Sequence, residues 1–210
     1  MKQIEHFEEK FLTFIKREMI TDAAHDINHV HRVVKIAKNL CKKENGNEWV
    51  VIPSAYLHDC FSHPKNHPER SHSSTLAARK AIQYLGSIQY PSQYYDAIFH
   101  AIEAHSYSAA IETKTADAKI VQDADRLDSL GAIGIARCIQ VGSSFEASLY
   151  SATDPFCSQR QPEDTRFSVD HFFTKLFVIS ETMHTNSAKI EATKRRDFML
   201  RFLDQLDLEI

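Results

Sequence analysis

The side chains best suited to chemistry in this sequence are His29, the dipeptide His58-Asp59, and Asp125. A histidine followed directly by an aspartate, at the end of an apolar helical run, is costly to bury unless something binds it. Val50, Val51, Ile52, Ala55, Tyr56 and Leu57 lead into His58, whereas a second such pair, His25-Asp26, sits in a polar turn. Two imidazoles and two carboxylates form a mixed nitrogen and oxygen donor set. That set does not suit a closed thiolate zinc site. It suits a six-coordinate divalent ion such as Mn²⁺, Co²⁺, Ni²⁺ or Fe²⁺ that keeps positions for water. Such an ion lowers the pKa of its water and polarises a phosphoryl oxygen. Lys65 and Arg70 follow in a polar stretch and supply cations for phosphate oxygens. His105 leads into Ser106-Tyr107-Ser108 and is placed to position a water or protonate a leaving group.

These residues need helices to carry them, and helical periodicity runs through most of the chain. A first amphipathic helix over residues 2–17 turns Ile4, Phe7, Phe11, Phe14 and Ile15 inward. In the second, residues 27–43, His31, Lys35, Lys38 and Lys42 make a solvated stripe, and His29 falls with Val33, Ile36 and Leu40. A helix over 48–60 contains Pro53, which either kinks it or lies in the first turn of a shorter one. Residues 74–85 form a helix with Leu76, Ala77, Ala81, Ile82 and Leu85 inward and Gly86 as its stop. Pro91 opens another that reaches His105. His100 and His105, five apart, do not share a face. The helix over 116–130 holds Asp123, Asp125 and Asp128: Asp123 shares its stripe with Lys119 and Arg126 and is expected in water, Asp125 shares Ala118 and Val121 and is expected inward. Gly131 and Gly134 allow close approach, with Ile133, Ile135 and Ala136 continuing the core. Residues 141–166 read as loop-rich. Two helices, 167–184 and 187–208, finish the chain; in the last, Phe198, Phe202, Leu203 and Leu206 point inward and Lys194, Arg195 and Arg196 point to water. There is no repeat, no low-complexity tract and no convincing strand.

Composition narrows the class. A chain of 210 residues suits one domain with a sizeable core. The net charge of −3 argues against a nucleic-acid partner. No apolar run approaches the roughly 18 residues needed to span a membrane, and no secretory signal opens the chain. The four cysteines lack C-x-x-C spacing, so reduced thiols in the cytoplasm are expected.

The pattern H…HD…D, on His29, His58-Asp59 and Asp125, resembles that of the HD-domain metal-dependent phosphohydrolases. The likeness extends over 25–33, 65–70, 104–108 and 121–134, and over Asp154-Pro155-Phe156 and Asp170-His171-Phe172. These segments look like a bacterial subgroup of small single-domain hydrolases, some similar to nucleotide pyrophosphohydrolases. The resemblance implies an all-α, HD-domain/phosphodiesterase-like helical bundle, with a metal-site core over residues 20–135 and C-terminal helices over 165–208 packing on it. It implies one metal at His29, His58, Asp59 and Asp125, favouring His29 over His25 as first ligand; Mg²⁺ joins the candidate ions. Some HD proteins hold two metals through extra histidines, a part open to His100 and His105. Cys60 and Pro53 depart from the subgroup without touching a ligand. The expected reaction takes a nucleoside triphosphate to a monophosphate and pyrophosphate. The alternatives are a 5′-nucleotidase, a cyclic phosphodiesterase, or a non-catalytic nucleotide or metal sensor. The expected partner is a small phosphorylated molecule, with homodimerisation permitted by the terminal amphipathic helices.

Overall fold

The computed structural model describes residues 2–19, 26–64 and 67–210, residues 2 and 3 by backbone alone. The described residues are all-α, with one isolated bridge between Ser148 and Phe167 and no strand. They fall into two compact units, 1–125 and 126–210.

In the first unit, α1 (Lys2–Glu18) buries Ile4, Phe11, Phe14 and Ile15 as its spacing requires. The helix α2 (Ile27–Lys43) starts at Asp26, whose carboxylate accepts the His29 backbone N–H at 2.8 Å. That is an N-cap, and it explains the second His-Asp pair; His25 itself lies outside the described residues. Burial raises the Asp26 pKa, but the hydrogen bonds from the His29 N–H and Asn28 outweigh it and hold the carboxyl below its ordinary value.

The middle of the unit is α3 (Glu48–Leu57), in which every residue from Val50 to Leu57 is buried. A helix apolar all round belongs inside a core, and α3 packs against α1, α2 and α5 (Tyr95–Glu103). Pro53 lies inside this helix, which ends at Leu57 and not at Cys60. Proline lacks an N–H, so the carbonyl four residues back loses its helical donor. The Tyr90 hydroxyl replaces it, donating to the Trp49 carbonyl at 2.7 Å. Cys60 is buried with its thiol against the Ala77 carbonyl at 3.3 Å, and burial pushes its pKa up to about 12.

The helix α4 (Ser73–Ser87) packs on α5 and buries Ser74, Ala77, Ala78, Ala81 and Leu85. Leu76 and Ile82 are only half-buried, and Gly86 lies within the last turn instead of stopping the helix. The helix after Pro91 is split: a 3₁₀ turn (Ser92–Tyr94) precedes α5, and Ala104 and His105 follow it as a turn. The helix α6 (Ala116–Asp128) ends two residues before the expected boundary.

In the second unit, α7 (Gly131–Ser144) extends into the stretch expected as loop. Ile135 is buried, but Ile133 and Ala136 face outward, against expectation. Gly131 has φ +71°, and a Cβ on Gly134 would collide with the Ser129 carbonyl oxygen, so neither position admits a side chain without strain. The expected 167–184 helix is broken into a π turn (Phe172–Leu176) and the short α8 (Phe177–Ser180). The last helix, α9 (Asn186–Asp207), buries Ala188, Ala192, Met199 and Leu203. Phe198 is exposed, one residue out of phase with the expected face. Arg195, expected in water, donates to the Leu127 carbonyl at 2.6 Å while its stem lies beside Gly131.

Between α7 and the π turn, Arg160 makes a two-pronged pair with the fully buried Asp170, whose Oδ2 also accepts the Glu163 N–H at 2.6 Å. Burial raises the Asp170 pKa, but these bonds and one from Cys157 more than reverse it. Asp154 holds the segment from its other end by accepting the N–H groups of Ser158, Gln159 and Arg160.

Candidate metal centre

Helix ends and turns, more than helix middles, present the site. His29 stands in the first turn of α2, where the Asp26 cap fixes its backbone. His58 is the C-cap of α3, Asp59 follows it in the turn, and Asp125 lies on α6. His29 and His58 are each 1% exposed, and their Nε2 atoms are 3.2 Å apart.

The carboxylates close around that pair. Asp59 Oδ2 lies 3.5 Å from His58 Nε2 and 3.7 Å from His29 Nε2. Asp125 Oδ1 lies 3.4 Å from His29 Nε2 and 3.8 Å from His58 Nε2. The other Asp59 oxygen, Oδ1, faces His105 Nε2 at 3.7 Å. His105 is also buried, so the sequence-derived candidates His29, His58, Asp59, His105 and Asp125 all meet in one place.

Local hydrogen bonds set which ring nitrogen faces the cluster. His58 Nδ1 lies 2.9 Å from the Ala55 carbonyl, and His105 Nδ1 lies 2.6 Å from the Ile102 carbonyl. A carbonyl only accepts, so each Nδ1 carries the proton, and a neutral ring then offers a bare lone pair at Nε2. Burial lowers the pKa of His58 and outweighs the nearby carboxylates, which keeps that ring neutral. At His105 burial also lowers the pKa, but Asp59, Asp125 and the Ile102 carbonyl raise it above the ordinary value.

The donor set fits a small divalent cation. A proton shared between His29 and His58 would satisfy their own contact, while the carboxylate oxygens at 3.4–3.8 Å stand beyond ordinary hydrogen-bond length from either Nε2. Ligands about 2.1 Å from one ion stand roughly 3 Å apart along an octahedral edge. Two overlapping triads have suitable spacing, His29-His58-Asp125 and His58-Asp59-His105, with the ligand atoms of each within 4.8 Å of one another.

The other candidates stand apart from this cluster or beyond description. Arg70 donates through Nη1 to the His63 carbonyl and to Ser62 Oγ, so it braces the loop that follows Asp59. Lys65 lies outside the described residues. His100 accepts the Lys114 N–H at Nε2 and pairs with Glu103 at Nδ1, which occupies both ring nitrogens. On α6, Asp123 is fully buried, not solvated, and the Asp125 side chain is 26% exposed. Sequence reasoning gave Gln122 no part, yet it is 3% exposed and donates to the Ala104 carbonyl at 2.6 Å.

Comparison with known proteins places this geometry. The chain is 29% identical over 216 residues to an uncharacterized protein of Bacillus subtilis, YpgQ, across 100% of this chain and 96% of that one. The crystal structure of Bacillus subtilis YpgQ in complex with ADP superposes with a TM-score of 0.75 at 27% identity, covering 97% of both chains. An HD-superfamily hydrolase from Bacillus thuringiensis superposes with a TM-score of 0.75 at 32% identity, covering 98% of this chain and 97% of that one. Residues 26–130 match the model of the HD domain, a span that holds both triads, and the chain belongs to that family.

Proposed function

We propose that this protein is a metal-dependent phosphohydrolase that cleaves a phosphoanhydride of a nucleotide, taking a nucleoside triphosphate and water to a monophosphate and pyrophosphate. The observation that carries the reading is the convergence of two carboxylates, each within 3.4–3.8 Å of both Nε2 atoms, on a pair of Nε2 atoms 3.2 Å apart. The complex of the 27% identical YpgQ with ADP supports a nucleotide as the class of ligand.

His29, His58, Asp59 and Asp125 would hold the ion, with Mn²⁺ as the first choice and Co²⁺, Ni²⁺, Fe²⁺ or Mg²⁺ as alternatives. When bound it supplies Lewis-acid polarisation of a phosphoryl oxygen and a water of lowered pKa. The chain's own residues do the rest. Asp59 spans the ligand pair and His105, one oxygen toward each. His105 presents Nε2 at the edge of the cluster, where it holds the attacking water or gives a proton to the leaving oxygen. Lys65 and Arg70 bind phosphate oxygens in this reading, with Arg70 also bracing its loop. A reducing, cytoplasmic setting belongs to the same proposal, supported by four cysteines that are all free.

The test is product analysis on metal-stripped protein, resupplied with each ion in turn and offered a panel of nucleotides. Metal-dependent release of pyrophosphate with a monophosphate is the expected result. Orthophosphate release would identify a nucleotidase, and ring-opening of a cyclic nucleotide a phosphodiesterase. An ion bound without turnover of any nucleotide would replace the enzyme with a sensor or a structural site.

A further inference from the structure

We infer that Gln122 is a positioning residue for His105, an inference that rests on the proposed role of His105 in phosphohydrolysis. Gln122 lies on α6 three residues before Asp125, which places both side chains on neighbouring parts of one helix face. Its amide nitrogen donates to the Ala104 carbonyl at 2.6 Å, and the carbonyl acceptor settles which end of the carboxamide is nitrogen.

The residue it holds is the one immediately before His105, the C-cap of α5, whose own N–H bonds back to the His100 carbonyl at 3.0 Å. His105 takes its second restraint from the Ile102 carbonyl through Nδ1. The turn is thus held at two carbonyls, one gripped by the His105 ring and one by α6. Gln122 therefore ties the position of His105 Nε2 to the helix that carries Asp125, so a proton-handling group and a candidate ligand share one support. Nothing in the charge or pattern of a buried glutamine requires this. A leucine would fill the same space without gripping the turn.

The test uses Gln122→Met, which keeps the length of the side chain and loses the donor, with Tyr90→Phe as a destabilised control outside the site. Gln122→Met is expected to retain bound Mn²⁺ at the wild-type stoichiometry and a KM within about twofold, while kcat falls about tenfold or more. On a His105→Ala background the same substitution should lower kcat no further, because its effect runs through His105. The imidazole Cε1–H NMR signal of His105 should move in Gln122→Met and stay in place in Tyr90→Phe. That signal is read whether or not the protein hydrolyses nucleotides, so failure of the enzymatic reading is told apart from failure of this one. An unmoved His105 signal, loss of the metal, or an additive loss on the His105→Ala background would each overturn the inference.

Discussion

Two histidines in this protein are held in one tautomer by carbonyls from their own preceding turns, Ala55 for His58 and Ile102 for His105. A ring fixed in this way presents the same nitrogen to the cluster at all times, a requirement for a ligand and for a proton carrier alike. The two His-Asp pairs separate on this point. In 58-59 both side chains face the cluster, whereas Asp26 spends its carboxylate on a helix start. Substitution should separate them as well. His58→Ala or Asp125→Ala is expected to remove both bound metal and nucleotide hydrolysis, measured by elemental analysis and product assay. Asp26→Ala is expected to keep its metal and lose about 1 kcal/mol of stability through the missing cap, a fall in Tm of roughly 2–4 °C. Full turnover in either ligand variant, under buffered metal, would refute the ligand assignment.

At the scale of elements, α3 carries a proline where its neighbours permit one. Tyr90→Phe leaves the Trp49 carbonyl without its donor, at a cost of about 1 kcal/mol. Adding Pro53→Ala supplies a backbone N–H and should recover most of that loss, a coupling visible in a double-mutant cycle of urea midpoints. The segment around Asp170 gives a pH-dependent counterpart. Its folded pKa is depressed, so its contribution is fully present above the ordinary aspartate range near about 4. That contribution fades as pH falls through the lower folded value. Acid titration by circular dichroism should show a shallower loss of stability below about pH 4 in Asp170→Asn than in wild type. Arg160→Ala, which strands a buried carboxylate, should cost about 3–5 kcal/mol at neutral pH. The helix α2 meets water on one side only, so its stripe fixes His29 as an inward residue. On α6, Ile120, Val121, Gln122, Asp123 and Ala124 are all buried, and no solvated stripe exists there to set the phase. The stripe that Asp123 shares with Lys119 and Arg126 points to water by pattern, yet Asp123 is fully buried. The carboxamide of Gln122 carries no charge, so nothing in the sequence marked it.

For the molecule as a whole, the cluster joins segments from four places between residues 26 and 125. Long-range convergence of this kind was legible because each candidate is a polar group at an inward or terminal position of an otherwise apolar helix. The boundaries were less so: the end of α3 at Leu57, the π turn after His171 and the one-residue phase error on α9 depend on tertiary contacts that periodicity does not encode. A bound ion should act on stability as well as on chemistry. At a free concentration about 100 times its Kd, a divalent ion adds about 2.7 kcal/mol to the folded state. That corresponds to a rise in Tm of roughly 5–11 °C. Calorimetry with and without chelator is expected to show this rise in wild type and none in His58→Ala.

The proline of α3 also constrains how this sequence can change over generations. While Pro53 is present, loss of the Tyr90 hydroxyl leaves the Trp49 carbonyl without its donor; once Pro53 is gone, the same loss is nearly neutral. The order of substitution is therefore directional. Lineages that descend from this chain should give up the proline before the tyrosine, and those that keep the proline should keep a hydroxyl within reach of Trp49.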